Sequence, residues 1–478
     1  MEILHVVTEL SPFAKVGGLA DVASSLSKQQ KLLGHRVTLV LPRYPALERA
    51  GLMLARRLTP LTFEHGGVAC SAAVYDGKLA TGVELVALEV EGFDREGVYG
   101  DDAGEFADNA ERFARFSRAA VEVALDRGRA GQPASVVHAH DWPTALVPYF
   151  LSKQDGAPPS VLTVHNLAHQ GVAPRELVPA LGLSRDDFHR EGFEFYGQAN
   201  LLKAGIVTAG AVTTVSETYA RDITTPEGGM RLDGVLRGRA GSLVGIVNGI
   251  DSSVWNPATD TAIASRYDVE DITNKARCKG AALGELGLDV KDGRPLAVFV
   301  GRLVEQKGAD LLLAALPKLL ASDFAIAVAG DGDAAWMSGL ARAAETERGR
   351  VAFVPRASEA LVHRLFAGAD LALMPSRFEP CGLVQLYAQR YGALPVARAT
   401  GGIRDTVVDC DAALETGTGF LFDDATPDAL LGAAQRARAA YTSPRWRQLV
   451  RRVMRLDRGW ERPARRYDQV YRSILRSG

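Results

Sequence analysis

Short apolar runs ending in polar residues recur along this chain, and segments of helical periodicity separate them. The first run, "EILHVVTEL", is β-branched and apolar and predicts a buried strand. A helix is expected from about Gly18 to Leu33, closed by Gly34 in a C-cap position. "RVTLVLP" predicts the next strand, and "SVVHAHD", "SVLTVHN" and "AVTTVS" predict three more, each ending in polar residues. The stretch 50–110 is less regular and reads as strands and loops added to a sheet. From 295 onward the alternation is cleaner. "PLAVFVGRL", "FAIAVAGDGD", "RVAFVP", "DLALMPS" and "LPVAR" read as strands. "GADLLLAALPKLL", "AAWMSGLARAAETE", "EALVHRLFAGA" and "GLVQLYAQRYG" read as the helices between them, and "GGIRDTVV" follows the last strand. This rhythm predicts parallel, doubly wound α/β sheets. Ligands of such sheets bind outside the carboxyl ends of the strands. The polar clusters "HD", "HN", "GRLVEQKG", "AGDGD", "PSRFEPCG" and "ATGG" all stand there. They occur in both halves, so two Rossmann-like domains facing each other across a cleft are expected. The turn-rich segment 245–260, "GIVNGIDSSVWNPATD", reads as their hinge.

The length of 478 residues agrees with two or three domains. Hydrophobic residues at 47% and charged residues at 23% exclude a disordered chain. A net charge of -2 favours no nucleic-acid partner, so any bound anion must be caught by local charge. Cysteines 70, 278, 381 and 410 have no metal-ligand spacing and suggest a reduced compartment. The start lacks the pattern of a signal peptide, and no apolar run is long enough for a membrane span, so a cytoplasmic location is expected. The arginine-dense end, "RWRQLVRRVMRLDRGWERPARRYDQVYRSILR", reads foremost as an amphipathic helix with a solvated basic face. An anionic partner is the less favoured reading.

Several strand-end clusters carry candidate chemistry, each with a plainer structural reading beside it. Arg302 and Lys307 in "GRLVEQKG" flank an expected helix start at Gly308 and form a site suited to a diphosphate. The plainer reading is two surface bases near a turn. Glu379 lies in a rigid loop between Pro375 and Pro380 and could act on a substrate or simply favour a helix N-terminus. Gly401 and Gly402 would let backbone amides approach a ligand, or merely permit a tight turn. In the first half, Asp141 and His165 both stand at strand ends, whereas His138, inside a strand, reads as a core residue. The stretch "KVGGLADV" at 15–22 shares with "TGGIRDTV" at 400–407 a Gly-Gly pair, an aliphatic residue, a spacer and Asp. No GxxxxGK[ST], nicotinamide fingerprint, HExxH or acidic metal cluster is present, so a nucleoside diphosphate held by Arg and Lys without an obligatory metal is expected.

In order and spacing, "KVGGLADV", "HAHDW", "TVHNLAHQG", "NGID…WNP", "GRLVEQKG", "PSRFEPCGLVQLY" and "TGGIRDTV" resemble the bacterial glycogen synthases and plant starch synthases. The resemblance runs from residue 1 to about 475. It implies retaining glucosyltransferases of GT-B architecture, with two Rossmann-like domains and a deep cleft. It also implies domains at 1–245 and 246–455, and a final segment, 456–478, whose helix returns to the first domain. By the same resemblance, Arg302 and Lys307 neutralise the donor diphosphate, and Glu379 lies near the transferred glucose. Asp141 and His165 flank the sugar. Lys15, Gly17 and Gly18 match a loop closing over the donor phosphates, and Gly401, Gly402 and Thr406 match the opposite phosphate loop. Asn166, Asn248, Tyr99 and Trp142 match contacts to donor glucose or acceptor.

The chain departs from the family in three places. Ala357 stands where an aromatic residue usually stacks on the nucleobase, His169 stands where Tyr or Phe is common, and the usual proline before Tyr99 is missing. The implied activity is transfer of glucose from ADP-glucose to the non-reducing end of an α-1,4-glucan such as glycogen, with no cofactor and no obligatory metal. Alternatives are a related GT-B enzyme using UDP-glucose or a sugar-phosphate acceptor, a phosphorylase, a sugar-nucleotide epimerase, and an inactive glucan-binding protein. The chain is short for a phosphorylase, and the set Arg302, Lys307, Glu379 and Asp141 argues against an inactive binder.

Overall fold

The computed structural model of the chain describes residues 1–101, 104–289, 291 and 293–477. Its first apolar run forms β1 (Glu2–Val6), followed by α1 (Gly18–Leu32) and β2 (Arg36–Pro42). Four strands occupy the irregular stretch: β3 (Leu54–Arg56), β4 (Leu61–His65), β5 (Val68–Lys78) and β6 (Glu84–Glu89). The polar-ended runs become β7 (Val136–His140), β8 (Ser160–Val164) and β9 (Ala211–Thr214), and β10 (Leu243–Gly245) follows. Among the described residues these make a ten-stranded sheet in the order β10-β9-β8-β7-β1-β2-β6-β5-β3, with β4 paired to β5. The strands from β10 to β6 are mutually parallel, and β3, β4 and β5 add antiparallel partners at one side. Every residue of β7, β8 and β9 is buried, as a parallel sheet covered on both faces requires.

The second sheet is parallel throughout. Its strands are β11 (Leu296–Val300), β12 (Ala325–Ala329), β13 (Val351–Val354), β14 (Leu371–Met374), β15 (Leu394–Arg398) and β16 (Phe420–Phe422). Their spatial order is β13-β12-β11-β14-β15-β16. The order reverses beside β11, and β11 and β14 lead into the loops that hold Arg302 and Glu379. Helices α2 (Ala309–Ala321), α3 (Val384–Arg390) and α4 (Gly401–Thr406) follow β11, β14 and β15.

The chain divides into one unit of Met1–Asn248 with Trp460–Gly478 and a second of Gly249–Gly459. Boundaries expected at 245 and 455 therefore lie at 248 and 459. Ile246 still donates its N–H to the Thr214 carbonyl at the end of β9 (2.8 Å). Trp460 is buried in the same cluster as Ile3, Val22, Leu26 and Ile246. The C-terminal helix, Glu461–Ser477, buries Ala464, Tyr467, Val470 and Tyr471 in that cluster, while Arg462, Arg465, Arg466, Arg472 and Arg476 are exposed. Spacing of three and four residues separates these two faces. The Ile250 amide donates to the Arg458 carbonyl (2.8 Å), so the two passages of the chain from unit to unit run side by side. Arg458 also donates to Gln389 Oε1 (2.9 Å) and to the Thr406 carbonyl.

Candidate active site

In the second unit, β11 ends at Val300 and Arg302 follows it into the loop. Arg302 is exposed, and its side chain makes no hydrogen bond or ion pair among the described residues. Lys307 closes a single 3-10 turn, Glu305–Lys307, and Gly308 caps α2. This turn lies against the loop after β14. Lys307 Nζ stands 2.6 Å from Glu379 Oε2, which also accepts the Ser376 hydroxyl (3.1 Å). Arg377 ties the same loop to α2 through two bonds of 2.7 Å to the Asp310 carboxylate. Glu379 is 4% exposed, so its charge is out of water and relies on Lys307. In the structure Lys307 and Glu379 form one ion pair, and Arg302 is a cation without a protein partner among the described residues.

Gly401 and Gly402 need their missing side chains for packing. Gly401 has φ +44°, and a Cβ there would lie 2.1 Å from the Glu379 carbonyl oxygen. A Cβ on Gly402 would lie 2.3 Å from the Cys381 carbonyl oxygen. The Gly402 amide donates to the Glu379 carbonyl (3.0 Å), and the buried Thr406 hydroxyl donates to the Gly402 carbonyl (2.7 Å) and accepts from Gln385 Nε2 (3.0 Å). In the structure Gly402 and Thr406 pack α4 against the loop that carries Glu379. Gly17, the N-cap of α1, differs. Its φ is -144°, and a Cβ would meet no atom within 4 Å. Gly402→Ala is thus expected to lower the melting temperature sharply, because backbone must move. Gly17→Ala should cost no more than about 1 kcal/mol, the scale of an altered N-cap. Equal melting temperatures for the two variants would refute this distinction.

In the first unit, Asp141 follows β7 and His165 follows β8. Asp141 has φ 57° and ψ -177°, a region nearly reserved for glycine and costing about 1–3 kcal/mol for other residues. Its Oδ1 accepts the amides of His165 (2.6 Å) and Asn166 (3.3 Å), which binds the ends of two adjacent strands together. Burial pushes the Asp141 carboxyl up to about 7 against the lowering effect of those amides. Burial also lowers His165 to about 3, so its imidazole is neutral. Asn166 turns back on itself, its Oδ1 accepting the Ala168 amide (3.1 Å). Trp142 begins a 3-10 turn and meets Phe113 edge to face at 5.4 Å.

Glu9 escaped the sequence reading because "VVTEL" reads as strand, whereas β1 ends at Val6. It organises much of this edge. Its Oε2 accepts the amides of Val16 and Gly17 (both 2.8 Å), and its Oε1 accepts the Tyr99 hydroxyl (2.9 Å). Burial raises the carboxyl of Glu9 and holds the Tyr99 phenol protonated. Lys15 pairs with Asp21 (2.9 Å), and Gly18 is the first residue of α1. In the structure the Gly17 amide is taken by Glu9. A buried run that ends in a carboxylate was the available signal. Asn248, at the end of the first unit, is 6% exposed, and its Oδ1 is buried without a hydrogen-bond partner among the described residues.

Beneath this edge His5, His138 and His140 bring ring nitrogens within 4.8 Å of one another. The rings stack, His138 on His140 at 4.2 Å, and all six nitrogens already make hydrogen bonds. No lone pair remains for an ion, so this is a hydrogen-bonded cluster and not a chelate.

Residues 2–238 match the family described as starch synthase catalytic domain, and residues 287–440 match glycosyl transferases group 1. The glycogen synthase of Anaeromyxobacter sp. (strain Fw109-5) is 45% identical over 481 residues, covering 99% of each chain. Glycogen synthase 2 of Geobacter sulfurreducens is 40% identical over 484 residues, covering 99% of this chain and 98% of its own. Among solved structures, the catalytic domain of starch synthase IV from Arabidopsis thaliana, bound to ADP and acarbose, is similar with a TM-score of 0.92. The two share 31% identity over 99% of each chain. Sucrose-phosphate synthase from Thermosynechococcus elongatus, at TM-score 0.64 and 19% identity, shares the fold.

Proposed function

Since the chain belongs to the glycogen synthase family, we propose that it takes glucose from ADP-glucose and adds it, with retention, to the non-reducing end of an α-1,4-glucan. The chain is a glycosyltransferase of GT-B architecture, and no helix among the described residues is long and apolar enough to cross a membrane. The observation that carries the proposal is the exposed Arg302 in the same loop as Lys307, which pairs with Glu379, at the carboxyl edge of a parallel sheet. A departing diphosphate needs positive charge there, and Arg302 offers it without first giving up a protein partner. Lys307 adds a second cation and Glu379 holds it in place. Asp141 and neutral His165 attend the glucosyl group, where positive charge develops as the bond to the diphosphate breaks. Tyr99, Trp142, Asn166 and Asn248 line the remainder of the sugar contacts.

Adenine as the base rests on family membership and on the ADP bound to the Arabidopsis relative. The reaction needs no metal in this reading, because guanidinium and ammonium supply the charge a divalent ion supplies elsewhere. It runs in the cytoplasm. The deciding experiment incubates radiolabelled ADP-glucose or UDP-glucose with glycogen, with and without excess EDTA. Labelled polymer should form from ADP-glucose and be insensitive to EDTA. Labelling from UDP-glucose alone would overturn the donor assignment, and loss in EDTA that magnesium restores would overturn the metal-free reading.

A further inference from the structure

The pleat of β7 places His138 and His140 on one face, and His5 lies in register with His138 on the adjacent β1. Gln30 from α1 and Tyr471 from the C-terminal helix cover the same face. Together they make an unbroken chain of hydrogen bonds. His165 Nε2 lies 3.0 Å from His140 Nδ1, and His140 Nε2 lies 3.0 Å from His5 Nδ1. His5 Nε2 lies 2.7 Å from Gln30 Oε1, and Gln30 Nε2 lies 3.0 Å from the Tyr471 hydroxyl. That hydroxyl lies 2.8 Å from His138 Nδ1, and His138 Nε2 lies 2.6 Å from the Thr163 hydroxyl, which itself lies 2.6 Å from the Thr213 hydroxyl. His5, His138, His140, Gln30 and Tyr471 are at most 2% exposed, so water does not interrupt it.

A neutral imidazole has one donor and one acceptor nitrogen, so each link dictates the next. Every member but one could reverse its sense by moving a proton or turning a hydroxyl. Gln30 reverses only by turning its whole amide, and in the structure its Oε1 faces His5 and its Nε2 faces Tyr471. Its Oε1 cannot donate, so His5 donates from Nε2 and accepts at Nδ1. His140 must then donate from Nε2 and accept at Nδ1. His165 must in turn donate from Nε2, and its Nδ1 is left with a bare lone pair. Along the other arm, the Gln30 amide donates to Tyr471, whose single proton goes to His138 Nδ1, and His138 donates from Nε2 to Thr163.

We propose that Gln30 is a positioning residue that sets the proton arrangement of all four histidines and so presents His165 Nδ1 as a hydrogen-bond acceptor for a hydroxyl of the sugar substrate. The kinetic part of this proposal rests on the reading of His165 as a residue that attends the glucosyl group. Burial supports the chain by keeping every ring neutral. His5 is lowered to about 4 and His165 to about 3, and His138 and His140 lie well below the ordinary histidine value. Among the described residues His165 Nδ1 makes no hydrogen bond of its own, as an acceptor reserved for a ligand would not.

The test is nitrogen NMR of the whole enzyme labelled at histidine, without substrate, paired with kinetics. All four rings should be protonated at Nε2 in the unmodified enzyme. Gln30→Met removes the fixed polarity and should leave His165 as a mixture of tautomers. kcat/KM should then fall by the lost Nε2–H fraction, about twofold for an even mixture. Tyr471→Phe keeps Gln30 against His5, so it should release His138 while leaving His165 and kcat/KM unchanged. Protonation of His165 at Nδ1 in the unmodified enzyme would overturn the proposal, whatever the variants do. So would a Gln30→Met enzyme that retains pure Nε2–H at His165. A tautomer shift in Gln30→Met with unchanged kcat/KM would instead overturn the role of His165 in the reaction and leave the control by Gln30 standing.

Discussion

Arg302→Ala should lose turnover by about 10²–10³-fold, the effect of removing one preorganised contact to a developing charge, while melting as the unmodified protein does. Its side chain is exposed and touches no partner among the described residues, so the folded state loses nothing with it. Lys307→Ala should lose comparable turnover and stability as well. It strands the Glu379 carboxylate, 4% exposed, without its cation. Breaking a fully buried pair costs about 3–5 kcal/mol, and this one should cost less because the Lys307 side chain is 23% exposed. Adding Glu379→Gln to Lys307→Ala removes the stranded charge. The double variant should regain most of the melting temperature and none of the turnover. Strict additivity of the two substitutions in stability would show that the pair is not coupled. An Arg302→Ala enzyme with normal turnover would remove the diphosphate from this loop.

Asp141→Asn should produce an enzyme that is much slower and, above neutral pH, more stable. The carboxyl is held at about 7 when folded and titrates near about 3.9 in an unfolded chain. Between those values the folded state keeps a proton that the unfolded state has lost. Stability contributed by this group is therefore full below about pH 4 and falls as pH rises to 7. An amide of the same shape does not titrate. The variant should gain on the parent progressively from pH 4 to 7 and hold that gain above it. Turnover should drop about a hundredfold or more if the charge stabilises the transition state. Melting curves of parent and variant that run parallel across this pH range would show that Asp141 is not held protonated by burial.

The strand ends were legible because a buried parallel strand must be continuously apolar. Asp141, His165 and Arg302 stand out where such runs stop. What lay hidden depends on contacts between distant segments. Lys307 and Glu379 are separated by three helices and three strands, and their spacing says nothing of an ion pair. "KVGGLADV" and "TGGIRDTV" look like copies, yet one glycine faces open space and the other pair faces backbone. Sequence shows that a glycine is present but not what its absent side chain would strike. Glu9 was absorbed into a strand that stops three residues earlier. The histidine chain draws on β1, β7, the end of β8, α1 and the C-terminal helix, and nothing in any one of those segments announces that the others will meet it.

The return of the last residues to the first unit bears on how this protein is made. Residues 249–459 are contiguous and emerge from the ribosome as a complete folding unit. The unit that is synthesised first is not complete until the end, because Trp460, Ala464, Tyr467, Val470 and Tyr471 belong to its apolar cluster. Until they arrive, Ile3, Val22, Leu26, Val136 and Val161 lack part of their cover, and Gln30 and His138 lack the Tyr471 hydroxyl. The usual order, in which the N-terminal domain finishes first, is thus inverted. During synthesis the nascent first unit is an exposed apolar surface waiting for its closing helix, and a chain that stops at 459 would carry that surface permanently.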